Sequence, residues 1–429
     1  MTLQQIAEME AAVEADDVDR ARAILAATSD SKGLSNTIHC GGKPLVISAH
    51  SVEMAKTLVE HGADLELVSR WWSSGISVNP GVDPAVGRFL VERGAALTPH
   101  AAAGLGLVDA LRDMLAGDPK LVHAKGGDGC TPLHFSRNTE TTELLIARGA
   151  DVDARDEDHD STPAQWLIGS SPDVSAFLLE RGATPDIFLA AALGDLSLCE
   201  RLVKADRSCL THRIGKAPFH PIGYLGRGGT ILQWTLGFNC YAHQVAARTG
   251  HEQLLDFLTT ESDVTTRFLV ACVMPNRPAA EAIAAAHPEL VAALQDVDRE
   301  LVARYCWETN LSLEAVRLML DVGFPVDFPE TSHGYTPLHN AAWCGCGDLV
   351  ELLVERGHPV DLRDPNYDST PLGFALHCCL HEGRHPDGEY GRVVAALIDA
   401  GCTWDRSIFP TGNGGIDEAL RKRLAVGDH

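Results

Sequence analysis

One short phrase recurs along this chain and limits its fold more than any other feature. It reads Thr-Pro-Leu-His at 131–134 and 336–339, Thr-Pro-Ala-Gln at 162–165 and Thr-Pro-Leu-Gly at 370–373. Threonine can cap the free amides of a helix start, and proline suits the first helical position. Some fifteen to twenty residues later comes a second phrase: LVEHGAD (58–64), LVERGAA (90–96), LIARGAD (145–151), LLERGAT (178–184) and LVERGHP (353–359). This is an apolar helix end closed by a glycine, the residue best able to take the left-handed conformation that stops a helix. Between the phrases lies a break, often glycine and a polar residue, as at Gly194-Asp195, Gly250-His251 and Gly347-Asp348. Each unit is therefore helix, tight turn, helix and loop. Gly149 and Gly182 are 33 residues apart, and Gly323 and Gly357 are 34 apart.

Phrases and period together resemble the ankyrin-repeat family, whose unit is 33 residues long. The likeness is strongest at 335–363 and extends over nearly all of the chain. It implies an all-α solenoid of helix–turn–helix units joined by short β-turn or hairpin loops. Residues 1–429 are expected to form one solenoid of about twelve repeats with a continuous concave surface. Helix pairs are expected near 3–27, 43–62, 76–94, 98–116, 131–149, 162–182, 185–205, 230–258, 264–286, 298–323, 336–357 and 370–401. The first four units and those near 185, 265 and 298 are read as lacking the Thr-Pro start but keep the leucine-rich second helix. Small-residue runs such as Ala101–Ala103 and Ala190–Ala192 let neighbouring helices approach closely. The charged stretch at 405–429 is expected to cap the last repeat.

Composition narrows the function classes. Lys and Arg number 35 against 59 Asp and Glu, a formal charge of −24. Binding to a nucleic-acid backbone rests on clustered cations, so no nucleic-acid partner is expected. The charge suits a basic partner surface, or serves solubility alone. The 12 cysteines are scattered, without the paired CxxC spacing of a zinc ribbon, and free thiols imply a reducing compartment. The first residues, MTLQQIAEMEAAVEADD, have neither the basic nor the apolar region of a secretory leader, and no apolar run reaches the ~20 residues of a membrane span. A cytoplasmic location and no membrane partner are expected. Abundant Ala, Asp, Arg, Val and Gly with few Lys suggests a bacterium of high-GC genome.

Two departures from the repeat are candidate functional elements. The insertion 211–229 holds Lys216, His220 and Arg227 among glycines, a combination that suits anion binding as well as a plain ordered loop. The second insertion, 375–393 in the last repeat, carries His377, His381 and His385 with Glu382 and Asp387. His377 and His381 are four apart and share a helical face, which can chelate zinc. The same cluster can equally be a polar ligand site or structural.

In the ankyrin layout the first helix of each unit lines the concave face. The slot after its small pair holds His50, Asn138, Arg248, Trp343 and His377, a polar and aromatic lining suited to binding. Trp343 and His377 belong to adjacent repeats and are expected to be neighbours. The resemblance gives His134 and His339 a hydrogen-bonding role between turns, and Trp71-Trp72 reads as local packing.

No GxSxG elbow, Walker A loop or dinucleotide fingerprint occurs. The leading expectation is an interaction protein that binds a protein partner through its concave groove. The alternative is an enzyme or a small-molecule or zinc-binding protein, with a His/Trp/Arg pocket where the 211–229 loop and the last two repeats meet the groove. An open groove would favour the first, an enclosed cavity with convergent polar groups the second.

Overall fold

The computed structural model describes residues 2–38, 44–67, 82–223, 225, 227–383, 385 and 387–424. Trp71 and Trp72 lie outside the described residues. The chain divides into two compact units, Met1–Leu254 and Leu255–His429. Both are built from short helices. Among the described residues strand pairing is confined to isolated bridges, Ile38 with Pro44, Arg213 with Tyr241 and Lys216 with Phe219. No helix among them is long and apolar enough to cross a membrane.

The threonine starts act as the sequence predicts. Thr162, Thr336 and Thr370 cap Pro163–Leu167, Pro337–Trp343 and Pro371–His377, each accepting a backbone amide at its hydroxyl. Thr98 does the same for Pro99–Gly104, so the fourth unit, read as lacking the Thr-Pro start, has one. The repeat at 131 differs: its first helix is a single 3-10 turn, Pro132–Phe135, after which Ser136 turns its hydroxyl onto those of Thr141 and Thr142. Second helices bury one leucine-rich stripe, as Gly347–Glu355 does with Leu349, Val350, Leu352 and Leu353. A fully buried leucine side chain is worth about 1.5–3 kcal/mol, so stacked stripes supply most of each unit's stability. Ala190, Ala191, Ala341 and Ala342 are fully buried, which lets first helices pack backbone to backbone.

In the first unit, Ile187–Leu193 packs directly on Ala242–Arg248, although about fifty residues separate them. The intervening chain leaves the repeat at Arg213 and returns at Tyr241. These two residues bridge, and the Ile214 amide donates to the Cys240 carbonyl at 2.9 Å. The insertion is thus longer than 211–229, and Leu232–Thr235 is one turn inside it rather than part of a helix pair from 230 to 258. Its neck closes because Arg213, 2% exposed, lies beneath the Tyr241 ring at 5.9 Å.

In the second unit the last repeat continues its first helix. Pro371–His377 runs on into a π turn, Cys378–Glu382, before the second helix Tyr390–Asp399. Gly414–Leu424 then covers that helix with Ile416, Ala419 and Leu420, and Arg423 Nε donates to Asp399 at 2.8 Å.

Candidate functional site

Two regions gather chemistry, one in each unit. In the first unit the insertion folds back over the hairpin loops of two earlier repeats. Ile231 packs with Cys130, Phe135 and Trp166 in one buried cluster. The Ile231 amide donates to Ser161 Oγ at 3.1 Å, and the Gly228 amide to Asp158 Oδ1 at 2.8 Å. A side chain at 228 would displace Asp158, since a Cβ would fall 2.4 Å from its Oδ2.

The hairpin beneath is organised by Asp156, which accepts from the amides of His159 and Ser161 and from Trp166 Nε1 at 2.5, 2.8 and 3.0 Å. Insertion and hairpin together line an open pocket of about 300 Å³. Arg155, Asp158, Asp186, His220 and Arg227 line it. Burial raises the Asp186 carboxyl, opposed by the Gln165 side chain, whose Nε2 donates to it at 2.8 Å.

Beside this pocket His159 faces two carboxylates, Asp158 Oδ2 at 3.6 Å and Asp128 Oδ2 at 3.8 Å. Burial pushes the Asp128 carboxyl up to about 6, with His159 working against it and Asp158 and Asp156 adding to it. Among the described residues this is the one group of three His, Cys, Asp or Glu whose ligand atoms all lie within 4.8 Å of one another. The residues 377, 381 and 385 do not form such a group.

In the second unit the rings of Trp307, Trp343, His377 and His381 form a ladder. Trp307 stacks on Trp343 at 6.3 Å and 24°, and Trp343 on His377 at 6.0 Å and 28°. His381 continues it at 5.3 Å from His377. Edge contacts from Phe374 support it from below, and the Tyr390 hydroxyl donates to the Trp343 carbonyl at 2.7 Å. His377 and His381 are exposed, while both tryptophans are half-buried. Acids flank the ladder: Glu382 lies 3.4 Å from His377, and Glu308 lies 3.2 Å from His385.

Underlying both regions is one local device. His134 Nδ1 bonds the Thr131 hydroxyl at 3.0 Å, and its Nε2 bonds the Ser161 carbonyl of the next hairpin at 3.3 Å. His339 repeats this with Thr336 at 2.8 Å and Ser369 at 3.1 Å. Residues 128–157 match the family described as Ankyrin repeat, and residues 329–375 match Ankyrin repeats (many copies). This is an ankyrin-repeat protein. No curated protein matches the chain. In ankyrin-repeat terms the matched segments carry the plain repeats. The insertion, His377 and the π turn fall outside them.

The remaining candidates of this ankyrin-repeat protein are scattered. His50 is exposed after Leu45–Ser48. The Asn138 side chain caps Thr139–Ala147 by accepting from the Thr141 amide at 2.8 Å. Arg248 donates to the Leu236 carbonyl and so ties the returning insertion to its helix. Arg227 lies 3.5 Å from Asp160, His220 lines the pocket, and the Lys216 backbone closes a tight turn with Arg213. Asp387 is exposed.

Residue reasoning missed Trp307, Asp128, Asp158 and His159. Trp307 stands 36 residues before Trp343, as His377 stands 34 after it, so the slot period could have found it. The hairpin was signalled by Arg155-Asp156…Asp160-Ser161-Thr162, which recurs as Arg363-Asp364…Asp368-Ser369-Thr370.

Proposed function

We propose that this protein is a recognition module whose second unit grips an extended, arginine-bearing segment of a protein partner along the Trp307–Trp343–His377–His381 ladder. Ankyrin repeats are protein-interaction modules, and the segment matched at 329–375 contains Trp343 and Phe374. The observation that carries the proposal is the ladder itself. Stacked rings left partly in solvent, in a chain with 6% aromatic residues, are the kind of anchor that dominates binding energy. A guanidinium stacks well on such rings, gaining about 0.5–2 kcal/mol per contact. Glu308 and Glu382 supply counter-charge beside it, and the overall charge of −24 favours encounter with a cationic segment. The test is selection from a random-peptide display library on the full chain. Enrichment of arginine-containing sequences supports the proposal, and enrichment of acidic or purely aliphatic ones contradicts it.

A second reading draws on the pocket in the first unit, whose Arg155, Arg227, Asp186 and His220 suit a small polar molecule. A thermal-shift screen of small polar metabolites tests it. Stabilisation should be lost in Arg227→Ala, and the same shift in that variant would count against the pocket.

A further inference from the structure

The insertion does more than wall a pocket: it orients two of three potential ligands. His159 has 10% of its side chain exposed. Its Nδ1–H donates to the Gly229 carbonyl at 2.7 Å, which fixes the tautomer and turns Nε2 toward the two carboxylates. At 3.6 and 3.8 Å those oxygens lie beyond hydrogen-bonding range of Nε2. Bonds of about 2.1 Å to one ion separate neighbouring ligands by about 3–3.4 Å, so the imidazole and each carboxylate need a few tenths of an ångström of closure.

Two of the three ligands have their second polar atom engaged elsewhere. Asp158 uses Oδ1 for the Gly228 amide, leaving Oδ2 toward His159. The Asp128 carbonyl accepts from the Glu157 amide at 2.7 Å, locking the two hairpins together, and Asp128 sits at φ 54°, an uncommon conformation for a residue with a side chain. An imidazole whose second nitrogen donates to a backbone carbonyl is the usual arrangement of a metal-bound histidine.

The second unit provides an internal comparison. Arg363–Thr370 has the same hairpin, with Asp364 accepting from the amides of Asn366, Tyr367 and Ser369 at 2.9, 2.8 and 2.9 Å. Asp160 and Asp368 share φ 49° and 50°. There the His159 position is Tyr367, which is 73% exposed. Hairpin geometry alone therefore requires neither the histidine nor its burial. Both belong to the copy that the insertion covers.

We propose that Asp128, Asp158 and His159 bind one divalent first-row transition-metal ion, with Gly228 and Gly229 of the insertion orienting two of the ligands. Two carboxylate oxygens and one imidazole nitrogen suit Zn²⁺ or Mn²⁺, and three protein ligands leave coordination positions for water or a ligand from the adjoining pocket. The site is independent of the ladder in the second unit.

The test titrates chelator-treated, full-length protein with Zn²⁺ and with Mn²⁺ by calorimetry, following Mn²⁺ also by electron paramagnetic resonance. One ion per chain is expected, with affinity reduced at least tenfold in Asp158→Asn and in His159→Gln and unchanged in His381→Ala. A nitrogen coupling to bound Mn²⁺ should vanish in His159→Gln. Circular dichroism and melting of the metal-free variants report folding, and Asp128→Asn replaces any variant that fails to fold. Absence of saturable binding by either ion overturns the proposal and leaves His159 as an ion-pair partner of the two carboxylates. Unchanged affinity in the folded variants overturns it equally.

Discussion

The indole of Trp343 lies 6.0 Å from the imidazole of His377, nearly parallel to it at 28°. The pair joins two successive repeats at positions 34 residues apart. Neither ring is held by the other alone. Phe374 meets Trp343 edge-on at 5.8 Å, and Tyr390 bonds its carbonyl from the following helix. The face is therefore built before any partner arrives, which lowers the ordering cost of binding.

Tyr390→Phe should reveal that support. The Trp343 carbonyl lies at a helix end, where it lacks an intrahelical donor, and Tyr390 itself is 5% exposed. Losing the hydroxyl should cost about 1–2 kcal/mol in stability. Chemical denaturation measures it, and a variant as stable as wild type would show that the bond contributes nothing.

Part of the acid sensitivity should come from His134. It is fully buried, and desolvation lowers it to about 3 from its ordinary 6.5. Because the folded value is depressed, its contribution is complete above pH 6.5 and drains as pH falls from 6.5 toward 3, where the unfolded chain takes up the proton first. The loss should reach about 2 kcal/mol at pH 5. Gln165 fills the same place in its own repeat, bonding the Thr162 amide at 3.0 Å, so His134→Gln should keep the turn without the titration. Denaturation between pH 7.5 and 5 should show the variant losing less stability than wild type by about one proton's worth of slope. Equal slopes would refute the assignment.

Much of the fold was legible because capping and helix termination are local. Thr162-Pro163 and Gly182 announce a start and a stop without reference to anything distant. Trp343 and His377 could be paired by the period alone, since each repeat sets its neighbour at a constant offset. The 211–229 stretch was read as an insertion from its composition, whereas the neck at Arg213 and Tyr241 depends on a contact across 28 positions that no local pattern carries. His159 was hidden for the same reason. Its burial comes from Gly228 and Gly229, about 70 residues later, whereas its counterpart Tyr367 stays in solvent.

Ile231→Ala should loosen the insertion while sparing the repeats. Ile231 is 6% exposed in a small cluster with Cys130, Phe135 and Trp166, and truncation of such a residue costs about 2–5 kcal/mol where the site cannot collapse. Hydrogen exchange should rise at Gly228–Ile231 more than at Ile187–Leu193. A uniform rise through the first unit would mean that the insertion is integral to its core.

Asp156→Ala should damage the first unit more than an average surface change, because it leaves two amides and the Trp166 indole N–H without their acceptor. Each lost acceptor in a buried setting costs about 1–3 kcal/mol. A melting temperature within a degree of wild type would contradict that role.

Recognition by the ladder is tested most directly by the affinity of a display-selected, arginine-bearing peptide for wild-type protein and for Trp343→Leu, measured by calorimetry. Leucine preserves charge and apolar bulk while removing the stacking surface. Binding at least tenfold weaker is expected in the variant, with a smaller loss when peptide arginine is replaced by lysine. Equal affinity for wild type and Trp343→Leu would show that the ladder is not the recognition surface.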